Sequence, residues 1–145
     1  MITVTCVKVD QPIGRFYVTA LLATILSKIT TVDPRDIENE TGVQRLGKKS
    51  RIREISEYCS DPDATFTTAV VVSVDNYKQE FCLLNAEETL LTIDDTQVVG
   101  QIIDGQHRLK GLMMSGNIEN FDIPVVFMFN MTPKDNAYVS FPDLG

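Results

Sequence analysis

The segment QIIDGQHRLKGLMMSGN, residues 101–117, changes from one structural pattern to another near its start. The apolar residues before Asp104 are typical of a buried strand, whereas those after Gly105 repeat at the spacing of a helix. The pattern predicts a strand at Val98–Ile103 and a helix at Gln106–Met114. The residues predicted to face the core, or to end the helix, are Leu109, Leu112, Met113, Met114 and Gly116.

Strand-like and helix-like segments also alternate along the rest of the chain. Apolar and β-branched runs predict strands at 2–9, 69–74, 81–84, 89–93 and 123–129. Apolar spacings of three and four, or a capping pattern, predict helices at Phe16–Thr30, at Lys49–Cys59 and from Thr132-Pro133 onward, with 30–42 as a loop or a short helical turn. The sequence therefore predicts one domain, residues 1–145, with an α/β or α+β fold in which helices flank a mixed sheet.

The composition is that of an average soluble globular protein, with 43% apolar and 23% charged residues. The net charge of -7 argues against binding nucleic acid by overall electrostatic attraction, because that attraction depends on Lys and Arg. One segment, RLGKKSRIR at 45–53, is nevertheless basic and contains no acid. It is interpreted either as a solvated helix face or as a local phosphate-binding patch.

The cysteines and the hydropathy pattern limit the class of protein further. Three cysteines without CxxC spacing, and a single histidine, predict neither a disulfide framework nor a metal site. The uncharged stretch Phe16–Ser27 is too short to cross a bilayer. We therefore expect a cytoplasmic protein with reduced thiols and no membrane contact.

The polar residues at the predicted strand-to-helix junction suit an anionic ligand. A helix start exposes backbone N–H groups, and Gly105 allows a ligand to approach them. Arg108 adds a planar donor group suited to phosphate, with Gln106 and His107 as further donors. Asp104 opposes an anion, so it would cap the helix or hold a ribose hydroxyl, a metal-bound water or Arg108. In the competing interpretation, Asp104 caps the helix and the others form an exposed polar turn.

The segment IIDGQHRLKGL also resembles the signature of the DGQHR-domain proteins, a prokaryotic and phage-associated group that includes the DNA-phosphorothioation protein DndB. The resemblance covers nearly the whole chain. The other segments that carry it are DQPIGRFYV at 10–18, GVQR at 42–45, RIREISEYCSDPDATF at 51–66 and IPVVFMF at 123–129.

This resemblance implies a small domain related to the ParB and sulfiredoxin fold, with a turn that contacts phosphate. The residues it assigns to phosphate or nucleotide binding are Gly105, Gln106, His107 and Arg108, with Gln44, Arg45 and Arg51 as a second patch. If nucleotide is hydrolysed, Asp104 or His107 would position water and Arg108 would stabilise the developing charge. The cofactor would then be a nucleoside triphosphate with Mg²⁺.

Three functions are compatible with these expectations. The first is an accessory or regulatory protein of a bacterial or phage DNA-modification or defence system, which binds nucleotide or DNA phosphate and has protein partners in that system. The second is a DNA-binding repressor without catalysis. The third is an inactive fragment, because PDLG closes the chain where the related family continues, which predicts a truncated C-terminus.

Overall fold

A computed structural model describes residues 1–32, 42–61, 64–75, 80–116 and 118–130, with the backbone alone at 42–48 and at Asn120. The strands in this part of the chain are β1 Ile2–Thr5, β2 Val7–Gln11, β3 Gly14–Leu22, β4 Thr30–Val32, β5 Val70–Val74, β6 Cys82–Leu84, β7 Leu90–Ile93, β8 Gly100–Asp104 and β9 Asp122–Phe129. The helices are α1 Ala23–Ile29, α2 Gly42–Cys59, α3 Gln106–Ser115 and a 3-10 helix, Ile118–Asn120.

The described strands form two sheets. The larger sheet has six strands in the order β2-β3-β9-β5-β8-β4, and the smaller has three in the order β1-β7-β6. In the larger sheet β9 is parallel to β5, and β4 is parallel to β8, while the remaining pairs are antiparallel. This is a mixed sheet with helices, and the predicted α+β class is confirmed.

Strand β9 lies near the middle of the larger sheet, between β3 and β5. Its residues Ile123, Val125 and Phe127 are almost completely buried, and Met128 is also buried. A continuous apolar run such as this is typical of a strand that is covered on both faces. The prediction of a strand at 123–129 is therefore confirmed, as are the strands predicted at 69–74, 81–84, 89–93 and 98–103, to within two residues at each end.

The helix predicted at Phe16–Thr30 is wrong over its first half, where the structure has β3. Burial there alternates with a period of two, since Tyr17, Thr19 and Leu21 are buried and point to one face. Pairing with both β2 and β9 satisfies the backbone of this segment. The helix begins only at Ala23, and of the predicted apolar stripe, Val18, Leu22, Ile25 and Ile29, only Ile29 is fully buried.

The strand predicted at 2–9 is divided into two at Cys6, so that β1 joins the smaller sheet and β2 the larger. The buried Cys6 donates its backbone N–H to the carbonyl of Thr89 at 2.9 Å. The Thr19 hydroxyl donates to the carbonyl of Thr5 at 2.7 Å. The chain therefore crosses between the sheets in one residue, and no break in the apolar pattern marks the crossing. The other two cysteines, Cys59 and Cys82, are also buried, and none of the three forms a disulfide.

Helices α2 and α3 pack closely at Gly111. A Cβ atom there would lie 2.6 Å from the Cβ of Ile55 and 3.1 Å from the carbonyl oxygen of Ile52. Met113 and Met114 are 50% and 64% exposed, so their assignment to the core is wrong.

The helices predicted at Lys49–Cys59 and Gln106–Met114 are confirmed, although α2 begins earlier, at Gly42. Gly116 ends α3 in the left-handed conformation, at φ 79°, as predicted. Leu109 and Leu112 are buried, also as predicted. In the segment predicted as a loop or turn at 30–42, residues Thr30–Val32 form β4. The rest of that segment, to residue 41, and the helix predicted from Thr132 lie outside the described residues.

Candidate functional site

The residues Asp104 to Arg108 form the junction between β8 and α3. Asp104 is the last residue of β8 and pairs with Val71 at the start of β5. Gly105 follows in the left-handed conformation, at φ 91° and ψ 8°, and is the residue that precedes α3. The first backbone bond of the helix runs from Leu109 N–H to the Gly105 carbonyl, at 3.3 Å. The start of α3 therefore lies at the end of the larger sheet where strand β8 finishes and strand β5 begins.

Arg108 holds the chain segment that leads into β5. Its Nη1 donates to the carbonyl of Thr68 at 2.9 Å and to the Thr68 hydroxyl, and its Nη2 donates to the carbonyl of Ala69 at 3.0 Å. Helical spacing places Arg108 on the side of α3 that carries Gly111 and Leu112, which is the packed side. Arg108 is half-buried there. Its guanidinium group uses three of its five N–H donors within the protein.

Gly105 is required at this junction for two physical reasons. Its φ of 91° is unfavourable for residues with a Cβ atom. A Cβ atom would also lie 2.9 Å from Nη2 of Arg108 and 3.0 Å from Cγ2 of Val70. The glycine thus allows the arginine to lie directly over the turn, and these two residues of the predicted site are in contact.

Among the described residues, Arg108 takes part in no ion pair. Its hydrogen bonds go to two carbonyl groups and a hydroxyl group. Gln106 and His107 are half-buried and Asp104 is exposed. The interpretation in which Asp104 caps the helix is wrong, because Gly105 is the capping residue and no side-chain hydrogen bond caps α3. The turn thus combines a helix start with a cation whose charge is available to an anion.

The second predicted patch lies on α2. Gln44 and Arg45 belong to this helix, but their side chains are outside the described residues. Arg51 is exposed. The contact that joins the two helices is made by Gly111 with Ile52 and Ile55. The structure therefore brings α2 to α3, while no hydrogen bond or ion pair found among the described residues joins Arg51 to the turn.

The exposed cations of α2 whose side chains the structure describes divide into two groups. Successive residues of a helix are about 100° apart, so Arg53 lies on the same side as Lys49, whereas Arg51 lies about 160° from Arg53. Ile52 and Ile55, which pack on α3, lie between these two groups on the inner face. The basic segment therefore presents a cation on each flank of the helix, and a flat ligand surface would contact one flank at a time.

The partners of Arg108 were not predictable from the sequence. Thr68 and Ala69 lie about forty positions before it, and the segment ATFTTA at 64–69 has no motif that would identify an arginine-binding loop. The only available signal was that the family resemblance extends to Phe66, directly before this loop.

Two further features, a metal-binding cluster and a membrane-spanning helix, are absent from the parts of the chain that the structure describes. There, no group of three or more His, Cys, Asp or Glu side chains is arranged to hold a metal ion. Over the same residues, no helix has the length and apolar character needed to cross a membrane.

Comparison with known protein families gives one match, which spans almost the whole chain. The family model for DndB, described as DNA-sulfur modification-associated, matches residues 4–143. Comparisons with curated proteins and with solved structures give no match. The predicted relation to the ParB and sulfiredoxin fold therefore stays a prediction.

Proposed function

This chain belongs to the DndB family of proteins associated with DNA-sulfur modification, and from that premise we propose that it contacts DNA phosphate through the DGQHR turn as an accessory or regulatory protein of a DNA-modification system. The observation that supports this proposal is Arg108 at the start of α3, which bonds to uncharged acceptors and takes part in no ion pair among the described residues. Because the net charge of the chain is -7, any contact with DNA must be local.

In this proposal the turn residues have different roles. Arg108 is a positioning residue that ties the loop before β5 to α3 and supplies positive charge. Gln106 and His107, together with the backbone at the start of α3, provide the groups that meet phosphate. Catalytic roles for Asp104, His107 and Arg108 stay predictions, as does the use of a nucleoside triphosphate with Mg²⁺.

The exposed cations of α2 would extend the contact along the DNA backbone. Arg51 lies on one flank of the helix and Lys49 with Arg53 on the other, so the two flanks need not contribute equally. Gln44 and Arg45 are kept in the proposal as members of the same patch. Contacts of this kind position a protein on DNA without reading its sequence.

Fluorescence anisotropy with a labelled DNA duplex would test this proposal over a series of salt concentrations. The logarithm of the binding constant should fall linearly with the logarithm of salt, with a slope of about -0.9 for each phosphate contact. If the Arg51 flank contacts DNA, Arg51→Ala should make this slope less steep by about 1. If the other flank does, the double variant Lys49→Ala with Arg53→Ala should make it less steep by about 2. Lys8→Ala, which removes an exposed cation from the edge strand β2, is the matched control.

Two results would contradict the DNA proposal. One is binding that does not depend on salt, and the other is an equal loss of binding in Lys8→Ala.

To test the nucleotide alternative, amide NMR shifts would be followed during titration with ATP, GTP and CTP, each with and without magnesium. Saturable shifts confined to residues 105–108, without DNA binding, would identify the turn as a nucleotide site instead.

A further inference from the structure

The solvent side of α3 carries a face that continues from the DGQHR turn. Successive residues of a helix are about 100° apart, so Met113 lies about 60° to one side of Lys110 and Met114 about 40° to the other. Gln106 and His107 lie one turn earlier, over the same side. The buried residues of α3 lie on the other side of the helix. The five residues named here are called the α3 face.

The α3 face combines a positive charge with exposed apolar groups. Lys110 is exposed, and the exposed side chains of Met113 and Met114 flank it. Adjoining exposed apolar side chains are typical of contact surfaces. Methionine is flexible and adapts to the shape of the surface that it packs against. Phosphate offers these two side chains no apolar partner, so phosphate contact at the turn leaves this part of the face unused.

Charge is distributed unevenly between the helices and the rest of the chain. The segments that form α2 and α3 contain seven of the 13 Lys and Arg residues but only two of the 20 acids, and α3 contains no acid. The two helices pack on each other at Gly111. The pair is therefore a basic region of an acidic chain, and it favours a polyanionic partner.

A partner of the α3 face must offer phosphate, hydrogen-bond acceptors and apolar groups within about 10 Å, which is the rise of α3 from Gln106 to Met113. The major groove of duplex DNA is such a surface, because its floor carries guanine O6 and N7 and the thymine methyl group between two rows of phosphates. From this match we propose that the α3 face lies in the major groove and contacts base edges there. This inference rests on the proposed function and deepens it, since phosphate contacts alone carry no sequence information.

The residues of the α3 face have separate roles in this arrangement. Gln106 and His107 stay at the phosphates, as in the proposed function. Lys110 donates to guanine O6 or N7, and Met113 and Met114 contact thymine methyl groups. The groove is about 12 Å wide and admits a helix. Helix α2 packs elsewhere on α3 and leaves these side chains exposed.

An anionic lipid surface also combines phosphate with apolar groups, but the α3 face fits it less well. Helices that lie in a lipid interface carry Trp, Phe or Leu along their apolar side. The α3 face has two methionines, on a helix of ten residues. The family to which the chain belongs is associated with modification of DNA. DNA is therefore the partner that these observations favour.

Modified duplexes would test the groove contact with the unaltered chain. Selection from a random library of short duplexes would first identify a preferred site. In that site, 7-deazaguanine removes the N7 acceptor and uracil removes the thymine methyl group, both in the major groove, whereas inosine removes only the guanine amino group of the minor groove. By fluorescence anisotropy at one salt concentration, the first change should weaken binding about tenfold and the second about threefold. Inosine should have no effect.

Two variants assign these effects to side chains. Lys110→Ala should bind the selected site more weakly than the parent chain and should no longer respond to 7-deazaguanine. The double variant Met113→Ala with Met114→Ala should no longer respond to uracil. All three side chains are exposed, so the variants should keep the fold, which circular dichroism would check.

Matched controls change the same residue types elsewhere. Lys28→Ala removes an exposed lysine from α1, and Leu83→Ala with Leu90→Ala removes two exposed apolar side chains from the smaller sheet. Both controls should respond to the modified duplexes as the parent chain does. If they lose these responses as the α3 variants do, the inference is wrong.

Failure of this inference differs from failure of the proposed function. Salt-dependent binding without a preferred site, or a loss of affinity with inosine alone, would overturn the groove contact and leave the phosphate contact standing. No binding to any duplex would overturn both. Binding to vesicles of phosphatidylglycerol and phosphatidylcholine that is lost in the double methionine variant would assign the α3 face to a lipid surface, and would overturn the inference as well.

Discussion

The two ends of the larger sheet each hold one arginine, and the two arginines are used in opposite ways. Arg108 donates to carbonyl and hydroxyl groups and takes part in no ion pair among the described residues. Arg15 donates to the carboxylates of Asp10 and Glu88. The same residue type is therefore paired with acids at one end and with uncharged acceptors at the other.

This difference shows that an arginine in a cleft does not by itself identify a phosphate site. The decisive property is the charge of the atoms that already accept its hydrogen bonds. Arg108 is half-buried and held by backbone groups, so its partners cannot be exchanged without moving the chain. The partners of Arg15 are the side chains of an exposed Asp10 and a half-buried Glu88. The following predictions test these differences, in order of decreasing effect.

The largest expected effect is on stability at the turn. Arg108→Ala should lower the free energy of unfolding by about 2–3 kcal/mol, because it removes the hydrogen bonds of a charged group, one of them to the half-buried Ala69. Arg15→Ala should have a smaller effect, because its ion pairs are exposed to solvent. Urea denaturation of both variants measures the difference. Equal losses of stability would remove the distinction drawn between the two arginines.

A second prediction isolates the close contact between Gly105 and Arg108. Gly116→Ala should cost about 1 kcal/mol, because Gly116 has a similar left-handed backbone but no atom lies within 4 Å of the place that its Cβ would take. Gly105→Ala should cost about 1–2 kcal/mol more, because its Cβ atom would crowd Arg108 and Val70. The comparison uses urea denaturation at one temperature. If both alanine variants lose the same stability, the contact contributes nothing beyond the backbone conformation.

The smallest expected effect is the pH dependence of the stability that the ion pair between Asp10 and Arg15 contributes. Hydrogen bonds from Arg15 lower the pKa of Asp10 below its ordinary value of 3.8. The stabilisation from this pair is therefore complete above that value and is lost as the pH falls through the lower folded-state pKa. Asp10→Asn should be slightly less stable than the parent chain at pH 7, and the difference should vanish under more acidic conditions. A difference that persists at about pH 2 would show that the charge of Asp10 is not its cause.

The sequence predicted the secondary structure around the DGQHR turn better than it predicted the secondary structure of strands β1 to β3. The strand, the glycine and the helix of the DGQHR segment follow from local chemistry, and all three are present. The segment beginning at Phe16 has helical spacing, yet it forms β3 because β2 and β9 provide partners on both of its sides. The pairing of Phe16 with Met128 joins distant parts of the chain, and such a partner cannot be read from a local pattern.

The functional residues show the same limit. The sequence identified Arg108 as a donor but could not show that Thr68 and Ala69 receive its hydrogen bonds. It also included Arg15 and Tyr17 in a segment of family resemblance without indicating a role for them. Glu88, on a turn between two strands of the smaller sheet, lies beside both residues in the fold, and the sequence pattern does not show this contact. A sequence motif supplies one side of a site, and the fold supplies the other.

The central position of β9 also constrains how this protein can be synthesised and folded. β9 is the last described strand along the chain, yet it lies between β3 and β5, and its pairing with β3 joins residues such as Phe16 and Met128. Structures dominated by such distant pairs fold slowly, on a scale of roughly milliseconds to seconds. On the ribosome, β3 and β5 would be made before their shared partner exists. Until β9 emerges, each has an unpaired edge that could associate with another nascent chain.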